Sequence, residues 1–190
     1  MCDFPAASNR ALPTPRAEGM SNIIAATMRL LEVKGPHEVT LRDVAKESGH
    51  GHRLISEWFG GKGGLYAAVV TKTFENLVNT GELFYSDIAV RSEVRAAVRV
   101  FNYMQMHHRE FVEGARTTFL RDAFRSRLME LRGLSEAEAD LGTRRIFSLT
   151  MGLATFAEFQ QLTDDEVIQM TKDEVKSSMG FDLSDNPNRA

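Results

Sequence analysis

Nowhere in its 190 residues does the chain alternate apolar and polar side chains with the period of two that a half-buried strand requires. Apolar residues return instead every three or four positions: Ile24, Met28 and Leu31; Val94, Val98 and Phe101; Val112, Ala115, Phe119, Ala123 and Leu128. Such spacing lines one face of a helix, so the fold class is expected to be all-α. Punctuation supports this. Thr40 with Asp43, Ser135 with Glu138 and Thr163 with Glu166 have the spacing of capping boxes, in which a hydroxyl and a carboxylate satisfy the free N–H groups of a helix start. Gly35-Pro36, Gly49, Gly60-Gly61 and Gly81 stand where helices should stop. The pattern predicts a first helix capped by Ser21, short helices over 41–48 and 51–59, and a long one from Lys62 to about Thr80. Continuous helical structure is expected beyond Gly81, with a helix from Ser135 to about Leu162 and a last one from Thr163. Residues 1–20, with Pro5, Pro13 and Pro15, read as a flexible arm, and residues 181–190 as a frayed tail.

Two short helices separated by a tight turn form a helix-turn-helix when three positions satisfy the packing: a small residue in the first, glycine in the turn and a branched apolar residue in the second. Ala45, Gly49 and Ile55 fill them. An ordinary helical hairpin can carry the same spacing. The net charge of -3 is uneven: residues 10–72 hold nine Lys/Arg against six Asp/Glu, and the rest fourteen against twenty. A basic end on an acidic body suits a nucleic-acid-binding lobe. Cys2 is the single cysteine, which excludes an intramolecular disulfide and a cysteine-based zinc site. No apolar run approaches the roughly 18 residues of a membrane span, and the first twenty residues lack the apolar stretch of a secretory signal. A cytoplasmic protein without a membrane partner is expected.

From Ile23 to Gly35, through Thr40-Leu41-Arg42-Asp43-Val44-Ala45 and Ile55-Ser56-Glu57-Trp58-Phe59, to Lys62 and Leu65-Tyr66-Ala67-Ala68-Val69, the chain resembles the N-terminal pattern of the tetracycline-repressor (TetR) family. The wording of residues 52–62 is similar to that of actinobacterial members. The resemblance implies a helix-turn-helix DNA-binding domain over 21–66, joined by a long helix to a ligand-binding and dimerisation domain over 67–180. It implies that the second short helix enters the major groove, offering His52, Arg53, Ser56 and Glu57 to base edges. Arg53 suits guanine, whose N7 and O6 match its planar fork. Glu57 either accepts from cytosine or stays a solvated helix charge. Thr40, Arg42, Trp58 and Lys62 match family positions that contact phosphate. The chain departs from the pattern at Gly51, where a serine cap is usual, at Ser56, where tyrosine is usual, and at His50, which replaces an apolar turn residue and is expected at the surface near phosphate.

One recognition helix covers few base pairs, so specific reading requires two copies on a palindromic operator. Residues 146–159, apolar on almost every side and small at Gly152, Ala154, Thr155 and Ala157, with a following stripe of Val167, Thr171 and Val175, resemble the family's dimer interface; a monomer core would read the same way. A small, mostly apolar effector is expected among Phe101, Met104, His108, Phe119, Phe147 and Met151, although aromatic and methionine residues at helical spacing also build plain cores. His107 and His108, about 100° apart on one helix, make a poor metal pair, so neither metal nor cofactor is expected. The Gly60-Gly61-Lys62-Gly63-Gly64 run lacks the Ser/Thr after lysine and the preceding strand of a phosphate loop, and no nucleophile elbow is present, so the chain is not read as an enzyme. The expected function is that of a ligand-responsive repressor; the alternative is a small-molecule-binding protein of the same fold that has lost specific DNA binding.

Overall fold

Pro15, with its ring-restricted φ of −51°, opens the first helix, and its carbonyl accepts from the Gly19 N–H at 2.9 Å. In this computed structural model, which describes residues 15–82, 85–114, 117–180 and 182, the first helix α1 spans Arg16–Val33. It begins ahead of Ser21, so residues 16–20 of the expected arm are helical. That stretch has no apolar periodicity of its own. It does supply Glu18 to the positive end of the helix dipole, and Gly19, which fits beneath the Trp58 ring. The rest of the arm, residues 1–14, and nearly all of the tail lie outside the described residues.

Helices α2 (Leu41–Ser48), α3 (His52–Phe59) and α4 (Lys62–Thr80) follow as the glycines predict. Gly49 and Gly60 close α2 and α3 in the left-handed conformation, φ 70° and 72°, which costs glycine no Cβ clash. Ile23, Leu31, Val44, Ile55, Phe59, Leu65 and Tyr66 bury against one another, each side chain worth roughly 1.5–3 kcal/mol in area removed from water. The Tyr66 hydroxyl donates to the Pro36 carbonyl at 2.7 Å, tying the turn after α1 to α4. Burial, and secondarily Tyr103, push its pKa up, so it remains a donor. The same cluster continues into Ala96, Val100 and Met104, and the expected division between 66 and 67 falls inside α4. The N-terminal helices and the body therefore share a core.

The body consists of α5 (Ser92–His107), α6 (Arg109–Gly114), α7 (Thr117–Arg132), α8 (Glu136–Phe156) and α9 (Asp164–Met179), and no strand forms among the described residues. Leu77, Val94, Val98, Phe124, Leu128, Ala139, Ile146 and Val175 make its core. Three expectations need correction. The chain is not helical throughout after Gly81: a 3-10 turn at Ile88–Val90 precedes α5, with Ser86 and Asp87 buried ahead of it. Arg91 holds that turn, bonding Asp87 at 3.3 Å and Glu82, with its guanidinium 5.6 Å from the Tyr85 ring. Desolvation opposes its charge, but the Glu82 hydrogen bond and the nearby Asp87 and Glu93 win and raise its pKa. Secondly, α8 ends at Phe156 and not Leu162, because residues 157–161 turn, with Gln161 at φ 57°. Thirdly, Val167, Thr171 and Val175 of α9 are buried within this chain.

All three expected capping boxes form. At α8, the Ser135 N–H and hydroxyl donate to the Glu138 carboxylate at 2.9 and 2.6 Å, and the Glu138 N–H donates back to the hydroxyl. The Ser135 hydroxyl first, then its backbone N–H, hold the Glu138 pKa below 4.5. A lowered folded-state pKa contributes stability that is present above the ordinary carboxylate range and lost as pH falls through it. The melting-temperature gap between the wild type and Ser135→Ala is accordingly expected to narrow from about pH 6 to about pH 3. A gap constant with pH in thermal melts would show that the carboxylate plays no part.

Candidate nucleic-acid interface

The geometry of α2 and α3 follows from a few side chains. Thr40 caps α2: its hydroxyl donates to Asp43 at 2.7 Å and accepts from the Asp43 N–H at 3.2 Å. Val44 and Ile55 lock the two helices together at 1% and 0% exposure. With Ile55 and Phe59 turned inward, α3 presents its other face to solvent, where His52, Arg53 and Glu57 are exposed and Ser56 is half-buried. Of the four residues expected to reach bases, Arg53 and Glu57 lie on the side of this eight-residue helix turned away from Ile55 and Phe59, His52 is exposed at its first turn, and Ser56 stands half-buried beside the packed face. Neither Arg53 nor Arg42 has an ion-pair partner among the described residues, so each guanidinium is available to an anion or a base. The helix starts at Gly51 without a side-chain cap, so its first N–H groups face outward unsatisfied by a side chain.

The four residues expected at phosphate are placed less uniformly. Arg42 is exposed. Both donors of Thr40 are occupied by the Asp43 carboxylate, from its N–H at 2.9 Å and from its hydroxyl at 2.7 Å. Trp58 is half-buried, its six-membered ring above Gly19, where an added Cβ would come within 2.8 Å of a ring carbon. His50, expected at the surface, is half-buried instead: its Nδ1 lies 2.8 Å from the Ser48 carbonyl, and its ring centre 6.2 Å from that of Trp58. Lys62 sits at the first turn of α4 with Nζ 5.3 Å from the centre of Tyr66 and 5.2 Å from that of Tyr103. The two rings offset part of the cost of a cation at the positive end of a helix dipole, and burial pushes the Lys62 pKa down. Tyr103 belongs to α5, so this contact also joins the N-terminal helices to the body. No local pattern in the sequence marks Tyr103, which lies 41 positions from Lys62.

Of the six residues expected to line an effector pocket, four pack on two different core clusters. Phe101 and Met104 pack into the core shared with the N-terminal helices, whereas Phe147 and Met151 pack on the body core, with Phe147 edge-on to Phe124 at 5.7 Å. Phe119 lies on α7, and its side chain is outside the described ones. His108 is not on one helix with His107: the chain breaks there, φ −144°, between α5 and α6. His108 lies 5.8 Å from Tyr103 and 6.4 Å from Phe111, while His107 stacks on Tyr103 at 4.5 Å. A cleft of about 540 Å³ opens elsewhere, between α1, α4 and α6, with Ile24, Ala68, Thr71 and Phe111 among its walls and none of the six. One buried group escaped the sequence reading: the Thr150 hydroxyl on α8, the single buried side-chain oxygen without a hydrogen-bond partner among the described residues. Other buried threonines donate to the carbonyl four residues back, as Thr143 does to Ala139 at 2.7 Å. No group of three or more metal-ligating side chains occurs among the described residues.

This N-terminal arrangement has known counterparts. Residues 23–69 match the family described as bacterial regulatory proteins, tetR family. The match covers the helix-turn-helix and the helices packed on it, and shows that these residues form a domain of that kind. It is 36% identical over 70 residues to an HTH-type transcriptional repressor of Mycobacterium tuberculosis, a match that covers 37% of this chain and 37% of that relative. The chain thus matches little more than a third of the length of this curated relative. Two solved structures are similar over nearly the whole chain. The TetR family repressor AlkX from Dietzia sp., implicated in biodegradation of n-alkanes, has a TM-score of 0.58 at 17% identity, covering 88% of this chain and 98% of that one. A TetR transcriptional regulator from Rhodococcus sp. RHA1 has a TM-score of 0.61 at 14% identity, covering 90% and 100%. At such identities these two show that the chain shares their fold through the body and say nothing of what it binds. No helix among the described residues is long and apolar enough to cross a membrane.

Proposed function

We propose that this chain is a transcriptional repressor that binds a palindromic operator as a homodimer and is released by a small, mostly apolar effector. The observation that carries the reading is the free face of α3, where His52, Arg53 and Glu57 stand exposed on a helix locked from behind by Ile55 and Phe59. His52, Arg53, Ser56 and Glu57 are assigned to bases, and Arg42, Trp58, Lys62 and the Thr40 end of α2 to phosphates. Dimerisation is assigned to the outer face of α8 and the turn after it, where Leu141, Phe156 and Phe159 are exposed, Met170 of α9 adds to the apolar surface, and nothing approaches Gly152. Phe156 and Phe159 left in water on a free monomer would be unfavourable by roughly 25 cal/mol for each Å² a partner could cover. For the effector, the unpartnered Thr150 hydroxyl beside Phe147 and Met151 favours a molecule with one hydrogen-bonding group on an apolar body. Effector and operator then oppose each other through linkage, each weakening the other by the same factor.

The decisive experiment is fluorescence anisotropy of the purified protein with duplex from immediately upstream of its own coding sequence, against scrambled duplex, across a salt series. Preference for the upstream duplex, with affinity falling as salt rises, is the expected result. Equal, negligible binding to both at low salt would favour the alternative reading, a small-molecule-binding protein that no longer reads DNA, for which the uncapped Gly51 and the short Ser56 are the supporting observations.

A further inference from the structure

Leu54 has no packing role that accounts for it. It is the one large hydrophobic residue of α2 and α3 left exposed, at 40%, among the described residues. On a helix it lies about 100° from Ile55, which points into the core, and three residues before Glu57, which points out. Arg53, Glu57 and Leu54 therefore follow one another around the free side of α3, with the apolar side chain at one flank of two charged ones. A lone exposed leucine is unremarkable on most surfaces, but α3 is the helix that a DNA duplex would cover. The one apolar group that projects from a base-pair edge into the major groove is the C5-methyl of thymine; the other groups read there donate or accept hydrogen bonds.

We infer that Leu54 reads a thymine methyl in each operator half-site, adding a specificity-determining contact to those of the polar residues. This rests on the proposed DNA-reading function. Ser56 is too short to supply an apolar contact of its own, and Arg53 and Leu54 are consecutive, with Cα atoms about 3.8 Å apart, so their side chains reach bases close to one another. The thymine accordingly lies next to, or one step beyond, the guanine assigned to Arg53.

The test replaces operator thymines one position at a time with deoxyuridine, which removes the methyl group and leaves the hydrogen-bonding edge intact. The full-length wild-type protein is expected to lose about fourfold in affinity at one thymine position when a single half-site is changed, and about fifteenfold when both are, the worth of one buried methyl-sized group per half-site. Leu54→Ala should lose a similar amount on the thymine duplex and show no further loss with deoxyuridine, while Leu54→Met should retain the sensitivity. Circular-dichroism melts would confirm that both variants fold, as expected for an exposed position. Wild-type affinity indifferent to deoxyuridine at every position, or full sensitivity surviving in Leu54→Ala, overturns the assignment while leaving DNA reading intact. A wild-type protein that prefers no upstream duplex over scrambled DNA overturns DNA reading, and this contact with it.

Discussion

Replacing Arg53 with alanine is expected to lower affinity for the operator by one to two orders of magnitude while changing scrambled-duplex binding little. A bidentate arginine–guanine pair contributes about 1–3 kcal/mol of discrimination, and Arg53 is exposed on the free face of α3 with no carboxylate partner among the described residues to compete for it. Arg42→Ala is the informative contrast. It should weaken specific and nonspecific binding together and reduce the slope of log affinity against log salt by about one, as loss of a phosphate contact does. Anisotropy titrations with both variants against both duplexes separate the roles. An Arg53→Ala protein that loses specific and nonspecific binding equally, with a shallower salt slope, would move Arg53 from the bases to the backbone.

Gly64→Ala should be the most damaging single methyl group in the reading domain. A Cβ at this position would lie 1.8 Å from the Phe59 carbonyl oxygen, whereas real contacts stay beyond 3.0 Å, and Phe111 closes the other side at 3.2 Å. The obstacle is backbone, so no side-chain rotation relieves it. Helix α4 must shift away from the end of α3 or pull out of the core that holds Leu65 and Tyr66. Overpacking typically costs about 1–3 kcal/mol, and a clash with backbone belongs at or above the top of that range, which is roughly 10 °C in melting temperature for a chain of this size. Gly51→Ser supplies the control. Nothing lies within 4 Å of its added Cβ and its φ is −64°, so it should cap α3 and stabilise the protein by a few tenths of a kcal/mol. Thermal melts of the two variants should move in opposite directions; a Gly64→Ala protein that melts like the wild type would mean that α3 and α4 are not held as close as their packing requires.

The reading head was legible in advance because its signals are local. A capping box spans four residues, a left-handed glycine announces itself at the residue where the turn occurs, and Ala45, Gly49 and Ile55 lie within eleven positions. Backbone hydrogen bonding and helical periodicity act over the same short range, so Thr40, Ser135 and Thr163 could be recognised as helix starts without knowing what packs on them. The start of α1 was missed because Arg16 to Met20 carry no apolar stripe; what holds Gly19 is the ring of Trp58, far along the chain. The segment before α5 was misread for a similar reason, since Arg91, Glu82 and Asp87 look like ordinary surface charges until the chain folds them together.

The all-helical class and the order of the helices are legible in the sequence, because propensity, capping and periodicity are properties of neighbours. Only the tertiary structure decided which apolar faces are spent inside the chain and which remain free. Val167, Thr171 and Val175 carry the same pattern as an interface, yet they are buried in this chain, while Phe156 and Phe159 are left outside. It likewise decided that Lys62 rests between Tyr66 and Tyr103 and that Phe101 and Phe147 belong to different cores. A helical stripe states that a face must be covered; what covers it depends on contacts between residues far apart in the chain, which no local pattern encodes.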